Sequence, residues 1–156
     1  MASLTVPEFA LSIRQPYASL LVAGIKRFEA RTWCPSKVPI TIAIHASSAY
    51  AAGWKKDVDH PALARVMYAK RFDPIALPTS AIIGVVRITE ATEASSVPDD
   101  FTYLDMLTCG DPYYHGLSLW RVSQRLAVRP IRCKGKLNLW KLSPDQKARL
   151  TRRLRG

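Results

Sequence analysis

The stretch Ala81-Ile82-Ile83-Gly84-Val85-Val86-Arg87-Ile88-Thr89 decides the fold class. Nearly every residue in it is apolar or β-branched and Arg87 is its only charge, so it reads as a strand buried on both faces. Gly84 in its middle marks a bend or a close backbone approach, as a small barrel requires. Outward from this strand, Ile40, Ile42 and Ile44 alternate with Thr41 and Ala43, which predicts a second strand ending near His45. From Ser118 the alternation returns. Trp120, Val122, Gln124, Leu126 and Val128 share one face, while Leu119, Arg121, Ser123, Arg125, Ala127 and Arg129 share the other, a row of arginines with a serine in it. A short strand is expected between Leu137 and Leu142.

Helices are predicted between these strands. Pro16 opens one that stops at Gly24, and Asp59-His60-Pro61 opens another, with Asp59 as its cap, that ends near Arg71. Residues 91–116 read as a long connection with one helical turn around Leu104. Ser143-Pro144-Asp145-Gln146 fits a capping box and starts a helix over about 143–155. No repeat, low-complexity stretch or linker divides the chain, so residues 1–156 are expected to form a single domain. The fold class expected is α+β, a small, mostly antiparallel β-barrel surrounded by helices.

Composition narrows the function. The chain has 156 residues, 48% of them hydrophobic, and carries a net charge of +11. A chain of this length buries roughly 70% of its unfolded surface, so it needs no disulfide or structural metal to fold. The three cysteines form no C-x-x-C pair and fit a reducing compartment. The N-terminal stretch lacks the pattern of a secretory signal and no run is long enough to span a bilayer, so a cytoplasmic protein with no membrane partner is expected. Residues 1–111 hold equal numbers of basic and acidic side chains, whereas residues 112–156 hold twelve Lys/Arg and one acid, Asp145. The whole excess therefore lies in the C-terminal part, the electrostatic footprint of a polyanion binder. A solubilising basic surface is the plainer reading of the same asymmetry.

The densest polar cluster elsewhere is Gly24-Ile25-Lys26-Arg27-Phe28-Glu29-Ala30-Arg31-Thr32-Trp33. As a regular strand it places Lys26 with Phe28 and opposite Glu29 and Arg31; a bulge after Gly24 would reassign Lys26. Glu29 between two arginines either orients one toward a ligand or forms an ion pair with no further role. The pattern G-x-K-x-x-E-x-R-x-W, preceded by Leu11-Ser12-Ile13-Arg14-Gln15-Pro16-Tyr17-Ala18 as a helix start, resembles the ASCH domain of the PUA-like superfamily. The resemblance extends to Ile42-Ala43-Ile44-His45-Ala46, Ile83-Gly84-Val85 and Lys134-Gly135-Lys136-Leu137-Asn138-Leu139-Trp140. It implies a PUA-like β-barrel with a basic cleft that holds RNA, lined by Lys26, Glu29 and Arg31.

No H-E-x-x-H, carboxylate cluster or Cys/His spacing supports a metal site, and no cofactor is expected. His45, His60 and His115 are scattered and read as structural. A metal-independent ribonuclease needs a base for the 2′-OH, an acid for the leaving oxygen and cations for the phosphorus. The candidates are Lys26, Tyr50, Lys56 and Ser123, placed to face one another across a barrel. Lys55 or Lys56 in a solvated face, and Tyr50 and Trp54 as packing, are the plainer readings. For nucleic-acid binding the expected residues are Lys26, Glu29, Arg31, Lys55, Arg121, Arg125, Arg129 and Lys134, with Trp54 as a stacking platform, and the arginine row with the final Arg149 to Arg155 cluster is expected to contact the backbone; Tyr113 and Tyr114 are further stacking candidates. RNA is the expected partner and single-stranded DNA the next of that class. A bacterial branch of the superfamily resembles amidohydrolases of acylated cytidines, where a threonine stands at the position of Glu29. Here a carboxylate stands there and cannot replace a hydroxyl nucleophile, although Lys26 and Glu29 as base and acid toward a modified nucleoside remain an alternative. The third reading is a non-catalytic RNA-binding adaptor.

Overall fold

The computed structural model of the protein describes residues 4–92, 97–109 and 117–156. Its strands are β1 (Phe9–Gln15), β2 (Phe28–Arg31), β3 (Ile40–Tyr50), β4 (Ala81–Thr92), β5 (Ser118–Arg132) and β6 (Leu139–Lys141). The helices are α1 (Tyr17–Val22), α2 (Trp54–Val58), α3 (Pro61–Ala69), α4 (Tyr103–Cys109) and α5 (Pro144–Arg155). All six strands belong to one sheet in the order β2-β5-β4-β3-β1-β6. β1 and β3 run parallel, and the other neighbours are antiparallel.

The α+β class is therefore as expected, but the barrel is not: the sheet is mixed and open, with β2 and β6 as its edges. Both edges are short, four residues in β2 and three in β6. Arg31 of β2 reaches across to β1, its Nη2 donating to Ser12 O at 3.0 Å. Short, charged edge strands are a common way to stop a sheet extending.

β4 is buried through Ala81–Val86, as its apolar run predicts. Ile42 and Ile44 of β3 join one core cluster with Leu11, Leu21 and Trp120, while Ala43 joins another with Ile131, Trp140 and Leu150 of α5. A third cluster, Leu20, Ile25, Val58, Leu63 and Met67, seats α2 and α3 against α1.

Several local expectations change. The run into Pro16 is a strand, β1, because Leu11, Ile13 and Gln15 alternate inward; the helix starts only at Tyr17. β3 continues five residues past His45, to Tyr50. The cap of α3 is His60, whose Nδ1 accepts from Ala62 N at 3.1 Å, rather than Asp59. The capping box of Ser143 and Gln146 forms as read. Register shifts opposite Arg87 and Ile88 break the strict alternation of β5. Leu126, expected on the face of buried Trp120, is 44% exposed as a result.

Gly84 marks a close approach. A Cβ there would lie 2.8 Å from the Val22 methyls of α1 and 2.9 Å from the Leu126 backbone oxygen. Gly84→Ala must push α1 or β5 away, an overpacking cost of about 2 kcal/mol. The expected result is a lower denaturant midpoint with an unchanged m-value; a variant as stable as wild type would show that the contact relaxes freely.

Candidate functional site

The site begins with the turn that ends α1. Gly24 adopts φ +82°, and the amides of Ile25 and Lys26 both donate to Leu20 O at 3.0 Å. The turn delivers Lys26 just ahead of β2, outside that strand's alternation. Its ammonium is 2% exposed, donates to Thr108 O of α4 at 2.8 Å and lies 3.3 Å from Glu29 Oε1. Lys26 and Glu29 thus meet because a turn ahead of β2, and neither a regular strand nor a bulge, places Lys26. Glu29 also accepts from Ala30 N at 3.1 Å and from Arg31 Nε and Nη2 at 3.2 and 2.9 Å. Burial by itself would raise the Glu29 carboxyl, but Lys26 and Arg31 outweigh it and hold the group below the usual carboxylate range.

Beside this cluster lies a second buried network. Trp140 Nε1 donates to Ser12 Oγ at 3.1 Å, Ser12 Oγ is 3.1 Å from His45 Nδ1, and His45 Nε2 is 2.8 Å from Cys133 O. The carbonyl can only accept, so the ring proton belongs on Nε2 and Ser12 donates to Nδ1. Burial lowers the His45 pKa against the opposing carbonyl contact, which keeps the ring neutral. Gly135 packs over this pair so closely that a Cβ would fall 2.5 Å from both His45 Cε1 and Ser12 Oγ.

Between the two networks opens a cleft of about 850 Å³. Lys26, Glu29 and Arg31 line it with Arg14, Lys134 and Lys136. Tyr17 and Asp57 form part of its wall, joined by a hydrogen bond from the phenol to Asp57 Oδ2. Burial, then that bond, pushes the Tyr17 phenol above its ordinary range. Arg14, Lys134 and Lys136 are exposed and have no carboxylate partner among the described residues.

Of the residues expected from sequence, Lys26, Glu29, Arg31 and Lys134 come together here. The others do not line the cleft. Tyr50 spends its hydroxyl donating to Pro74 O and accepting from Leu77 N, both at 2.9 Å, and its ring packs on Trp54 at 4.9 Å. Lys55 lies 5.8 Å from the Trp54 ring, Lys56 is exposed on the same short helix, and Ser123 is exposed on β5. Arg121 is engaged by Asp100 at 2.9 and 2.7 Å and stacks on Phe28 at 4.8 Å. Arg125 lies against Gly24, with Nη2 donating to Val122 O at 3.3 Å and no partner for Nε. Arg129 is exposed, and its carbonyl accepts from Arg153 Nε at 3.4 Å. Tyr113, Tyr114 and His115 lie outside the described residues. The reading missed Arg14, Tyr17 and Asp57. Arg14 had a signal, because Ser12 and Arg14 alternate with Leu11 and Ile13, a pattern that also marks a strand.

Among the described residues no group of three or more His, Cys, Asp or Glu is placed to hold a metal ion, and no helix is long and apolar enough to cross a membrane. The ASCH domain family matches residues 11–118. The fold is similar to the crystal structure of ASCH from Zymomonas mobilis, at 13% identity and a TM-score of 0.59 over 95% of this chain and 96% of that one. Two variants of that protein, one tyrosine-to-phenylalanine and one serine-to-alanine, align at 14% and 15% identity, each with a TM-score of 0.53. They cover 93% of this chain and 96% and 94% of their own. No curated protein matches the sequence.

The lowered Glu29 pKa carries a sign. The ion cluster stabilises the fold fully above the unfolded carboxylate value of about 4.3 and loses that contribution as pH falls through the lower folded value. Glu29→Gln, which leaves Lys26 buried without its anion, is expected to lose about 3 kcal/mol at neutral pH. Denaturant titrations should show the deficit shrinking below about pH 4; a deficit independent of pH would remove the ion cluster as its cause.

Proposed function

The chain belongs to the ASCH domain family, and on that premise we propose that it binds RNA in the cleft between β1, β2 and the Lys134-Gly135-Lys136 turn. The observation that supports this reading is the cleft's balance of charge. Five cations and two carboxylates line it, and three of the cations, Arg14, Lys134 and Lys136, are exposed and unmatched at its rim. Unmatched cations around a concave surface attract phosphate, with counterion release driving association. Ser47, Ser48 and Ser80 line the same cleft and offer hydroxyls to a ribose 2′-OH, the group that separates RNA from DNA.

Binding fits the geometry better than turnover. Glu29 is held ionised by two cations, which suits it to orient Arg31 and not to donate a proton as a general acid. The His45 ring has both nitrogens engaged. Lys26 is committed to Thr108 O and Glu29, an anchor for the cleft floor more than a free base. These facts weigh equally against a metal-independent ribonuclease and against Lys26 and Glu29 as base and acid of an amidohydrolase. The reading that remains is an RNA-binding module acting as an adaptor.

Fluorescence anisotropy with labelled single-stranded RNA and matched DNA, in EDTA and across a salt series, tests it. Affinity should fall steeply with salt, and Lys134→Ala/Lys136→Ala should weaken binding about tenfold and reduce the log–log slope by about 1.4. A flat salt response in the wild type would overturn the assignment. RNA recovered intact in EDTA completes the binding reading, whereas EDTA-resistant cleavage abolished by Lys26→Met would make the protein a ribonuclease.

A further inference from the structure

We propose that the bound RNA strand does not end in this cleft but crosses the Lys134-Gly135-Lys136 turn into a second groove at the start of α5. The proposal rests on the RNA-binding reading of the first cleft and deepens it, by assigning the direction in which the strand continues and the residues that hold it. The second groove has a volume of about 770 Å³ and is lined by Lys141 and Lys147 together with Lys134 and Lys136, which also line the first. The turn is therefore a cationic ridge common to both. A mononucleotide would satisfy one side of such a ridge. A polyanion can lie across it and use both.

The charge of the second groove favours the same ligand. Its four lysines face one carboxylate among the lining residues, Glu8. Lys141 is exposed and has no ion-pair partner among the described residues. Lys147 Nζ lies 2.6 Å from Glu8 Oε1, with side chains 34% and 57% exposed. Exposed pairs of this kind are weak and exchange readily for a phosphate oxygen. The helix start is not the attraction, because Ser143 and Gln146 already satisfy each other's backbone amides at 3.1 and 2.9 Å. The lysine side chains supply the site. Trp140, 5% exposed beneath the groove, is held by Ser12 and serves as wall, so the second groove grips the backbone without stacking a base.

A length-dependent binding experiment tests this on the full chain. Anisotropy is measured with oligouridylates of about 4 and about 12 nucleotides, lengths within the span of single-strand grooves. For Lys141→Ala/Lys147→Ala, affinity for the longer oligomer should fall about tenfold and its salt slope by about 1.4, with the shorter oligomer unaffected. Glu8→Gln changes affinity in the opposite direction. It frees Lys147 and should tighten the longer oligomer about threefold, a gain that misfolding cannot produce. If the wild type binds both oligomers and neither variant alters the longer one, the second groove is overturned and the first cleft stands. Equal loss on both lengths overturns it too, because the lysines would then be acting on the first cleft. If the wild type binds neither oligomer, both readings fall together.

Discussion

A carboxylate that is buried must be matched, and in this protein the matching of Glu29 organises everything around the cleft. Its two cations come from different places. Lys26 arrives from the turn that closes α1, and Arg31 from two residues further along β2. Each cation then reaches a backbone carbonyl on another element, Thr108 O of α4 and Ser12 O of β1. One carboxylate thereby fixes the helix turn, an edge strand, the C-terminal end of α4 and β1 relative to one another. The same arms line the cleft that opens beside the sheet edge. Burial of charge costs free energy that hydrophobic packing would not, so the return is in position: every group on the cleft floor has a single place to be.

This arrangement divides the charges into two populations. Arg27 and Arg121 look from the sequence like free cations, yet Asp105 and Asp100 hold them at 2.6 and 2.7 Å and bind the 97–109 segment to the sheet. Of the β5 arginines, Arg121 is therefore structural, while Arg129 and Arg132 are exposed without an ion-pair partner among the described residues. Arg14, Lys134, Lys136 and Lys141 have no ion-pair partner among the described residues, and they line the cleft and its neighbouring groove.

The strands with continuous apolar runs were legible in the sequence because burial on both faces leaves no other residue types available. β4 is the clearest case. β1 was missed although Leu11, Ser12, Ile13 and Arg14 alternate as a strand does, because Pro16 directs the reading to the helix that follows it. Closure of the sheet was not legible at all, since it depends on whether two edges distant in sequence meet. For the site, Lys26, Glu29, Arg31 and Lys134 were recoverable from a motif and a charge pattern. The pairing of Lys26 with Glu29 was not, because it follows from one glycine's left-handed φ and not from strand periodicity. Tyr50, Lys56 and Ser123 show the converse. Their chemistry is visible in the sequence, but whether a side chain reaches a cleft or a neighbouring loop is decided by packing.

The contact of Gly135 with His45 and Ser12 has a mechanical meaning for the lysines on either side of it. Turns on protein surfaces usually carry their side chains on a flexible backbone, and fixing that backbone around a ligand costs about 1–2 kcal/mol for each residue ordered. Here the turn rests directly on a hydrogen-bonded chain running from Trp140 through Ser12 and His45 to Cys133 O. Gly135 packs against that chain, so the turn is seated on the core. On the reading proposed above, Lys134 and Lys136 would meet a phosphate from a turn already seated on the core, and less ordering entropy would be lost on binding.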